Sequence, residues 1–221
     1  IETIDECLEI SGKLLVDNEY IEPEYIQSMK EKVIPGENIF SLRDEHTLID
    51  KRAILNEFRR NADRYSFTHF INQRWENIYL ELGLLPSVKP LLNFAIDSAL
   101  RIYRDSLLPH QTLMIPHELL GYEKNEFWFN VANPGESTGE HNHNGKAFLS
   151  GVYYLQVPPG SGDLHFKLKD EKPSSIIADT GKLILFPAEL DHYVPENQSK
   201  EERISLAFNL YILPLIAGTQ D

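Results

Sequence analysis

The chain has 221 residues, 42% of them hydrophobic and 25% charged, which suits a folded domain with a sizeable core rather than a disordered chain. Its formal net charge of −13, with no strong Lys/Arg cluster, argues against nucleic acid or an anionic membrane surface as a partner. Cys7 is the only cysteine, which rules out an intramolecular disulfide and a thiolate metal cluster and points to a reducing compartment.

No run of about 18 or more apolar residues is present, so no membrane-spanning helix is expected. The opening Ile1-Glu2-Thr3-Ile4-Asp5-Glu6 is acidic and unlike a secretory leader, which points to a cytoplasmic location. The first half reads as helix. Glu2 to Val16 carries Ile4, Cys7, Leu8, Leu14 and Leu15 roughly on one stripe, weakened by Ser11-Gly12. Pro23-Glu24-Tyr25 opens a second candidate that ends before Pro35-Gly36. Glu45 to Arg60 is rich in helix formers. Thr68 to Leu82 spaces Phe70, Ile71, Trp75, Ile78, Tyr79 and Leu82 as an amphipathic helix would, and Leu91 to Leu108 places Leu92, Ala95, Ile96, Leu100 and Tyr103 on one face.

The second half switches to period two. Phe127 to Val131, Ala147 to Gln156, Gly162 to Leu168, Lys182 to Phe186 and Arg203 to Tyr211 read as strands. Turn sequences separate them: Asn133-Pro134-Gly135, Pro158-Pro159-Gly160-Ser161-Gly162 and Asp179-Thr180-Gly181. The expected fold is α+β: residues 1–115 form a helical region packed on a double-stranded β-helix of the jelly-roll or cupin type at 116–221, together making one compact domain. Both faces of Ala147 to Gln156 are largely apolar, as for a strand covered on both sides. Arg203, Ser205, Ala207 and Asn209 share one face of the last strand, and Ile204, Leu206, Phe208 and Leu210 share the other. Upstream helices need an apolar sheet face to cover, so the polar face is expected to turn inward.

His141 and His143 stand one residue apart, so in an extended segment both imidazoles point to the same side. His192 follows a strand-like run, and Arg203 opens the next strand. Gly135, five residues and His141-x-His143, then Gly181, five residues, Pro187, four residues and His192, is a two-part layout in which turns bring two histidine-bearing strands together. Three histidines with open positions and a fixed cation nearby suit a mononuclear metal enzyme that handles an anionic co-substrate. Glu140 and Asp191 have the wrong strand parity to ligate with their neighbouring histidines. Asp163, after a flexible turn, is the outside candidate for a carboxylate ligand. His46, His69, His110 and His117 read as ordinary surface or packing residues, and His165 as facing away from the core.

These residues carry a resemblance. Trp128-Phe-Asn130, His141-Asn-His143, Phe148-Leu-Ser-Gly-Val-Tyr-Tyr154-Leu, Gly162-Asp-Leu-His-Phe166, Gly181-Lys-Leu-Ile-Leu-Phe-Pro187, His192 and Arg203-Ile-Ser205-Leu-Ala-Phe-Asn209 resemble the Fe(II)- and 2-oxoglutarate-dependent oxygenases, in the branch related to prolyl hydroxylases. The match covers roughly the last 95 residues. It implies that His141, His143 and His192 hold Fe(II). It also implies that Arg203, with Ser205 and Tyr154, binds the distal carboxylate of 2-oxoglutarate, and that O2 is consumed as a small molecule, amino acid or peptide side chain is hydroxylated, with release of succinate and CO2. Trp128, Asn130, Lys146 and Asn209 are the candidate substrate-binding residues. Most of that superfamily has a carboxylate where this chain has His143, which keeps a second reading open: a three-histidine cupin-type oxygenase that binds substrate directly, without 2-oxoglutarate.

Overall fold

A computed structural model describes residues 31–34, 38–43, 49–71, 74–168 and 174–213. Two antiparallel sheets form a sandwich. The first strands are β1 (Glu31–Ile34), β2 (Ile39–Arg43), β3 (Ser66–Ile71), β4 (Arg74–Tyr79) and β5 (Thr112–Met114). They are followed by β6 (Phe127–Ala132), β7 (Thr138–His141), β8 (Leu149–Gln156), β9 (Leu164–Lys167) and β10 (Ser174–Ile176). The last are β11 (Lys182–Pro187), β12 (Asp191–Val194) and β13 (Arg203–Leu213). The larger sheet runs β1-β2-β11-β8-β13-β6-β4-β3, with β5 paired to β13; the smaller runs β10-β9-β12-β7. This is the expected jelly roll.

Two α-helices lie among the described residues. The first, α1 (Lys51–Arg60), is capped by Asp50, whose carboxylate accepts from the Ala53 amide at 2.9 Å, and it ends on Arg59 and Arg60 at the negative end of its dipole. Its buried residues, Ile54 and Phe58, stand four apart on one face, and Phe58 stacks on Phe129 of β6 at 4.1 Å. The second, α2 (Lys89–Tyr103), starts with Pro90 in its first turn and buries Leu91, Leu92, Ala95, Ser98, Ala99 and Tyr103. These residues share one hydrophobic cluster with Ile204, Leu206, Phe208 and Leu210 of β13. A second cluster, including Val152, Tyr154, Phe166, Ile184 and Phe186, fills the space between the sheets. The helices therefore cover the apolar face of the larger sheet, and its polar row turns inward as expected.

The helical reading of residues 1–115 is corrected: β1 to β5 all lie there, and β1, β3 and β4 fall on segments expected to be helix or directly beside them. Thr68 to Leu82 is not a helix but the β3–β4 hairpin followed by a single 3-10 turn at Leu82–Leu84. Phe67, Phe70, Ile71 and Trp75 are exposed there while Arg74 and Glu76 are buried, so the polarity of the hairpin is inverted and the apolar residues fall at helix-like intervals. Residues 31–34, at the end of the second expected helix, pair with β2 instead, where sheet context overrides local preference. The helix expected over Glu2 to Val16, and the start of the one at Pro23, lie outside the described residues. Among the described residues no helix is long and apolar enough to cross a membrane.

Helix-on-sheet packing predicts that Phe58→Ala lowers unfolding free energy by about 3–5 kcal/mol, since it deletes a buried ring that stacks on Phe129 and on Tyr65. Urea unfolding checks this; the midpoint should fall with little change in slope.

Candidate metal centre

His141 ends β7 and pairs directly with His192 of β12 across the smaller sheet. His143 lies just beyond β7, where its amide donates to the Ala188 carbonyl at 2.7 Å and ties that turn to the end of β11. The three rings close on one another: centroids are 4.3 Å apart for His141 and His192, 5.2 Å for His141 and His143, and 5.6 Å for His143 and His192. One ring nitrogen from each lies within 4.8 Å of the others.

Their chemistry fits a divalent metal. His141 Nδ1 sits 2.8 Å from the Gly139 carbonyl and His192 Nδ1 2.9 Å from the Leu190 carbonyl. A carbonyl only accepts, so both Nδ1 atoms carry the proton and both Nε2 atoms keep a free lone pair. This backbone anchoring fixes tautomer and ring direction, as the outer partners of metal-bound histidines do. Burial, followed by the neighbouring His141, pushes His143 down to about 4. Burial and His141 push His192 to about 3, although the Leu190 carbonyl works against the shift. Both imidazoles are therefore neutral near pH 7, the state that ligates.

The expected alternatives are engaged elsewhere. Asp163 accepts from the Ala178 amide at 2.9 Å. Glu140 pairs with Lys167 at 3.0 Å and Asp191 accepts from Asn142 at 2.6 Å, as strand parity implied. His165 stacks on Tyr193, away from the histidine trio.

Beside the trio, Arg203 is 1% exposed. Its Nη1 donates to the Ser161 carbonyl at 2.7 Å and its Nη2 to Thr138 Oγ1 at 3.5 Å. Gly162, at φ +96°, permits this approach: a Cβ there would lie 2.8 Å from the Pro195 carbonyl oxygen and 3.1 Å from Arg203 Nη1. Arg203 makes no ion pair with any described residue. Burial lowers its pKa, Tyr154 and Asp163 act in the opposite sense, and Arg74 adds to the lowering. Ser205 stands opposite Tyr154 across the β13–β8 ladder, and both are buried. Burial raises the Tyr154 phenol, with Arg203 partly offsetting the rise, so it is a neutral donor. Arg203, Ser205, Tyr154, Trp128 and Asn130 line one cavity with all three histidines.

Two β-bulges flank this cavity. The β12–β7 register slips between His192 and Val194, and the β13–β8 register slips between Ile204 and Ser205. Each bends a strand beside a site residue, a common use of a bulge next to a functional centre. Two expected substrate residues lie apart from the cavity. Lys146 is exposed in the turn after His143, and Asn209 is locked by Ser150 at 2.9 Å and by Glu126 at 3.1 Å. Lys146 lies on a hydrophilic turn, and the amide of Asn209 is already satisfied by its neighbours.

Three residues escaped sequence reasoning: Thr138 lines the cavity, and Arg74 and Glu76 bond to residues beside it. Arg74 is buried, and its Nη2 donates to Asn130 Oδ1 at 3.0 Å and to Thr138 Oγ1 at 3.2 Å. That bond fixes the Asn130 amide with its oxygen toward Arg74. Thr138 thus sits between two guanidinium groups. Glu76, also buried, accepts from the Gly139 amide at 2.9 Å. The signal that could have found Arg74 and Glu76 is their alternation with Trp75 and Asn77, which marks a strand.

Residues 126–178 and 167–209 match the family model described as "Putative 2OG-Fe(II) oxygenase". Among solved structures, the fold is similar to a Pseudomonas putida prolyl-4-hydroxylase, with a TM-score of 0.57 and 22% identity over 79% of this chain and 93% of that one. It is similar to a Trichoplax adhaerens prolyl hydroxylase in complex with a hypoxia-inducible-factor peptide fragment, with a TM-score of 0.61 and 14% identity over 85% of this chain and 90% of that one. It is similar also to SnoK, a non-heme alpha-ketoglutarate-dependent carbocyclase from nogalamycin biosynthesis, with a TM-score of 0.60 and 11% identity over 86% and 83% of the two chains. At such identities these likenesses establish a shared fold. No curated protein matches the chain.

The geometry predicts one divalent ion per chain, lost on replacing any one of the three histidines by alanine. Metal analysis after dialysis checks this. Full metal retention in His192→Ala would contradict the site.

Proposed function

We propose that this chain is an Fe(II)/2-oxoglutarate oxygenase, a reading supported by the family match over residues 126–178 and 167–209, and that it hydroxylates a small molecule, an amino acid or a peptide side chain. The family implies Fe(II), 2-oxoglutarate and O2 as cofactor and co-substrates, and the histidine cluster fits iron. His141, His143 and His192 would hold the metal. When bound, it activates O2 for a two-electron oxidation of substrate coupled to conversion of 2-oxoglutarate to succinate and CO2.

Arg203 carries the reading. A guanidinium buried without an opposing carboxylate costs several kcal/mol unless an anion joins it. Its open donors share a cavity with the histidines. A diacid whose distal carboxylate meets Arg203, and whose other end reaches the metal, satisfies both. Ser205 and the neutral Tyr154 phenol would add donors to the same carboxylate, each stronger for having a charged acceptor. Trp128 and Asn130 would face the primary substrate: the indole of Trp128 lies 5.8 Å from the His143 ring, centroid to centroid, which leaves an apolar wall beside the metal. A peptide or a small molecule both suit that wall, and a cytoplasmic location fits the lone cysteine and the acidic chain.

The second reading, a three-histidine oxygenase that takes substrate directly on the metal, is favoured by one observation: no carboxylate joins the metal cluster among the described residues. Three neutral ligands leave Fe(II) with its full +2 charge, which strengthens its hold on an anionic ligand. Arg203 separates the readings, because only the first gives it a ligand.

Arg203→Ala should raise the KM for 2-oxoglutarate at least about 30-fold, the low end of the roughly 2–5 kcal/mol lost on truncating one partner of a buried charge pair. Its metal content should stay at the wild-type level. Succinate formation coupled to 2-oxoglutarate consumption is the assay. Wild-type turnover independent of 2-oxoglutarate would favour the second reading.

A further inference from the structure

We propose that Glu76 of β4 is a positioning residue for His141, holding Gly139 so that the Gly139 carbonyl keeps the His141 ring in its ligating tautomer. The proposal deepens the metal-site reading and rests on it for its functional meaning.

The argument starts from what each histidine leans on. The Leu190 carbonyl that anchors His192 lies in a tight turn, closed by the Leu190 amide donating to the Pro187 carbonyl at 3.2 Å. That acceptor is fixed by its own turn. The Gly139 carbonyl that anchors His141 has no such support. It lies on β7, an edge strand of the smaller sheet, at the point where the β7–β12 register slips: His141 pairs with His192, but Val194 pairs with Thr138 rather than with Gly139. Two residues of β7 thus oppose one of β12, and the ladder does not hold the backbone there. A glycine in that position is free to move unless something outside the sheet binds it.

Glu76 supplies that hold. Its side chain is buried, at 2% exposure, and its Oε1 accepts from the Gly139 amide at 2.9 Å. The Gly139 carbonyl in turn accepts from His141 Nδ1 at 2.8 Å. One residue is therefore gripped from its amide by a carboxylate and presents its carbonyl to a metal-ligand imidazole. A Cβ on Gly139 would stand 3.3 Å from Ile71 Cγ2, which would have to give by a few tenths of an ångström, and 3.7 Å from Glu76 Oε1, an ordinary contact. A buried carboxylate is costly to keep, and a mere contact between strands does not require one. What the register slip leaves to be supplied is a fixed acceptor for the Gly139 amide, and the Glu76 side-chain oxygen is that acceptor.

Glu76 also acts electrostatically on Arg74, raising its pKa against the burial that lowers it. Glu76→Gln separates the two roles: it removes the charge but keeps an oxygen that can accept from Gly139. Glu76→Leu removes both.

The test uses the full chain with ¹⁵N-labelled histidine. In the metal-free protein, long-range ¹H–¹⁵N spectra report whether the His141 proton sits on Nδ1 or Nε2, and Co(II) titration reports metal affinity. Wild type and Glu76→Gln should both show His141 protonated on Nδ1 and bind Co(II) within about threefold of one another. Glu76→Leu should show mixed His141 tautomers and bind Co(II) about 10- to 100-fold more weakly, the usual cost of losing an outer partner. His192, anchored by its own turn, should keep its Nδ1 proton in all three. The proposal is overturned if Glu76→Leu leaves His141 unchanged, or if Glu76→Gln shifts as far as Glu76→Leu. Should Glu76→Leu fail to fold, Glu76→Asp, one methylene shorter, takes its place: a displaced His141 resonance supports the proposal and an unmoved one overturns it. If wild type binds no Co(II) at all, the metal reading fails, while the tautomer comparison still decides the role of Glu76.

Discussion

The row Ile204, Leu206, Phe208 and Leu210 is covered from outside by α1 and α2, and this contact lets the rest of the molecule carry chemistry. A strand pair in a sandwich normally turns its apolar face inward and leaves its polar face to water. Here the helices bury the apolar face of the larger sheet, so Arg203 and Ser205 are free to point between the sheets. Facing them, the smaller sheet contributes His141 and His192 on neighbouring strands. The site lies between the sheets, where Arg203 and His192 are buried and His141 and His143 half-buried, and charge placed there is felt strongly.

Within that enclosure the charges are one-sided. Arg203, three imidazoles, of which burial and mutual proximity hold His143 and His192 neutral, and the Tyr154 phenol held neutral by burial line a cavity with no carboxylate among its described lining residues. Arg74 is answered by the nearby buried Glu76 and by Glu136 at 3.5 Å, whereas Arg203 makes no ion pair with any described residue. Such a pocket is electrostatically incomplete, which is a stability cost in the free protein and a source of affinity for a small dianion. The bulges at His192/Val194 and Ile204/Ser205 are the geometric counterpart: both interrupt a ladder next to a functional side chain.

What could be read from the chain, and what could not, follows from how far apart the cooperating residues lie. The histidine spacing, the glycine turns and the alternating β13 sequence were legible because each is a local pattern with a strong period. The inward polar row could also be anticipated, since the upstream helices needed an apolar face to cover. Arg74, Glu76 and Thr138 were not legible. They act through contacts between strands distant in sequence, and the β3–β4 hairpin holds exposed Phe67, Phe70 and Trp75 against buried Arg74 and Glu76, a reversal that imitates helical spacing. Lys146, close to His143 in sequence, lies on an exposed turn and does not line the cavity.

The account stands or falls on whether the histidine trio and Arg203 act on one ligand. Anaerobic titration of the Fe(II)-loaded protein with 2-oxoglutarate, followed by visible absorption, tests this directly, because a 2-oxo acid chelating Fe(II) gives a metal-to-ligand charge-transfer band. The account predicts a band that saturates at one equivalent in wild type. A protein that holds one Fe(II) per chain yet develops no band at saturating 2-oxoglutarate would contradict it.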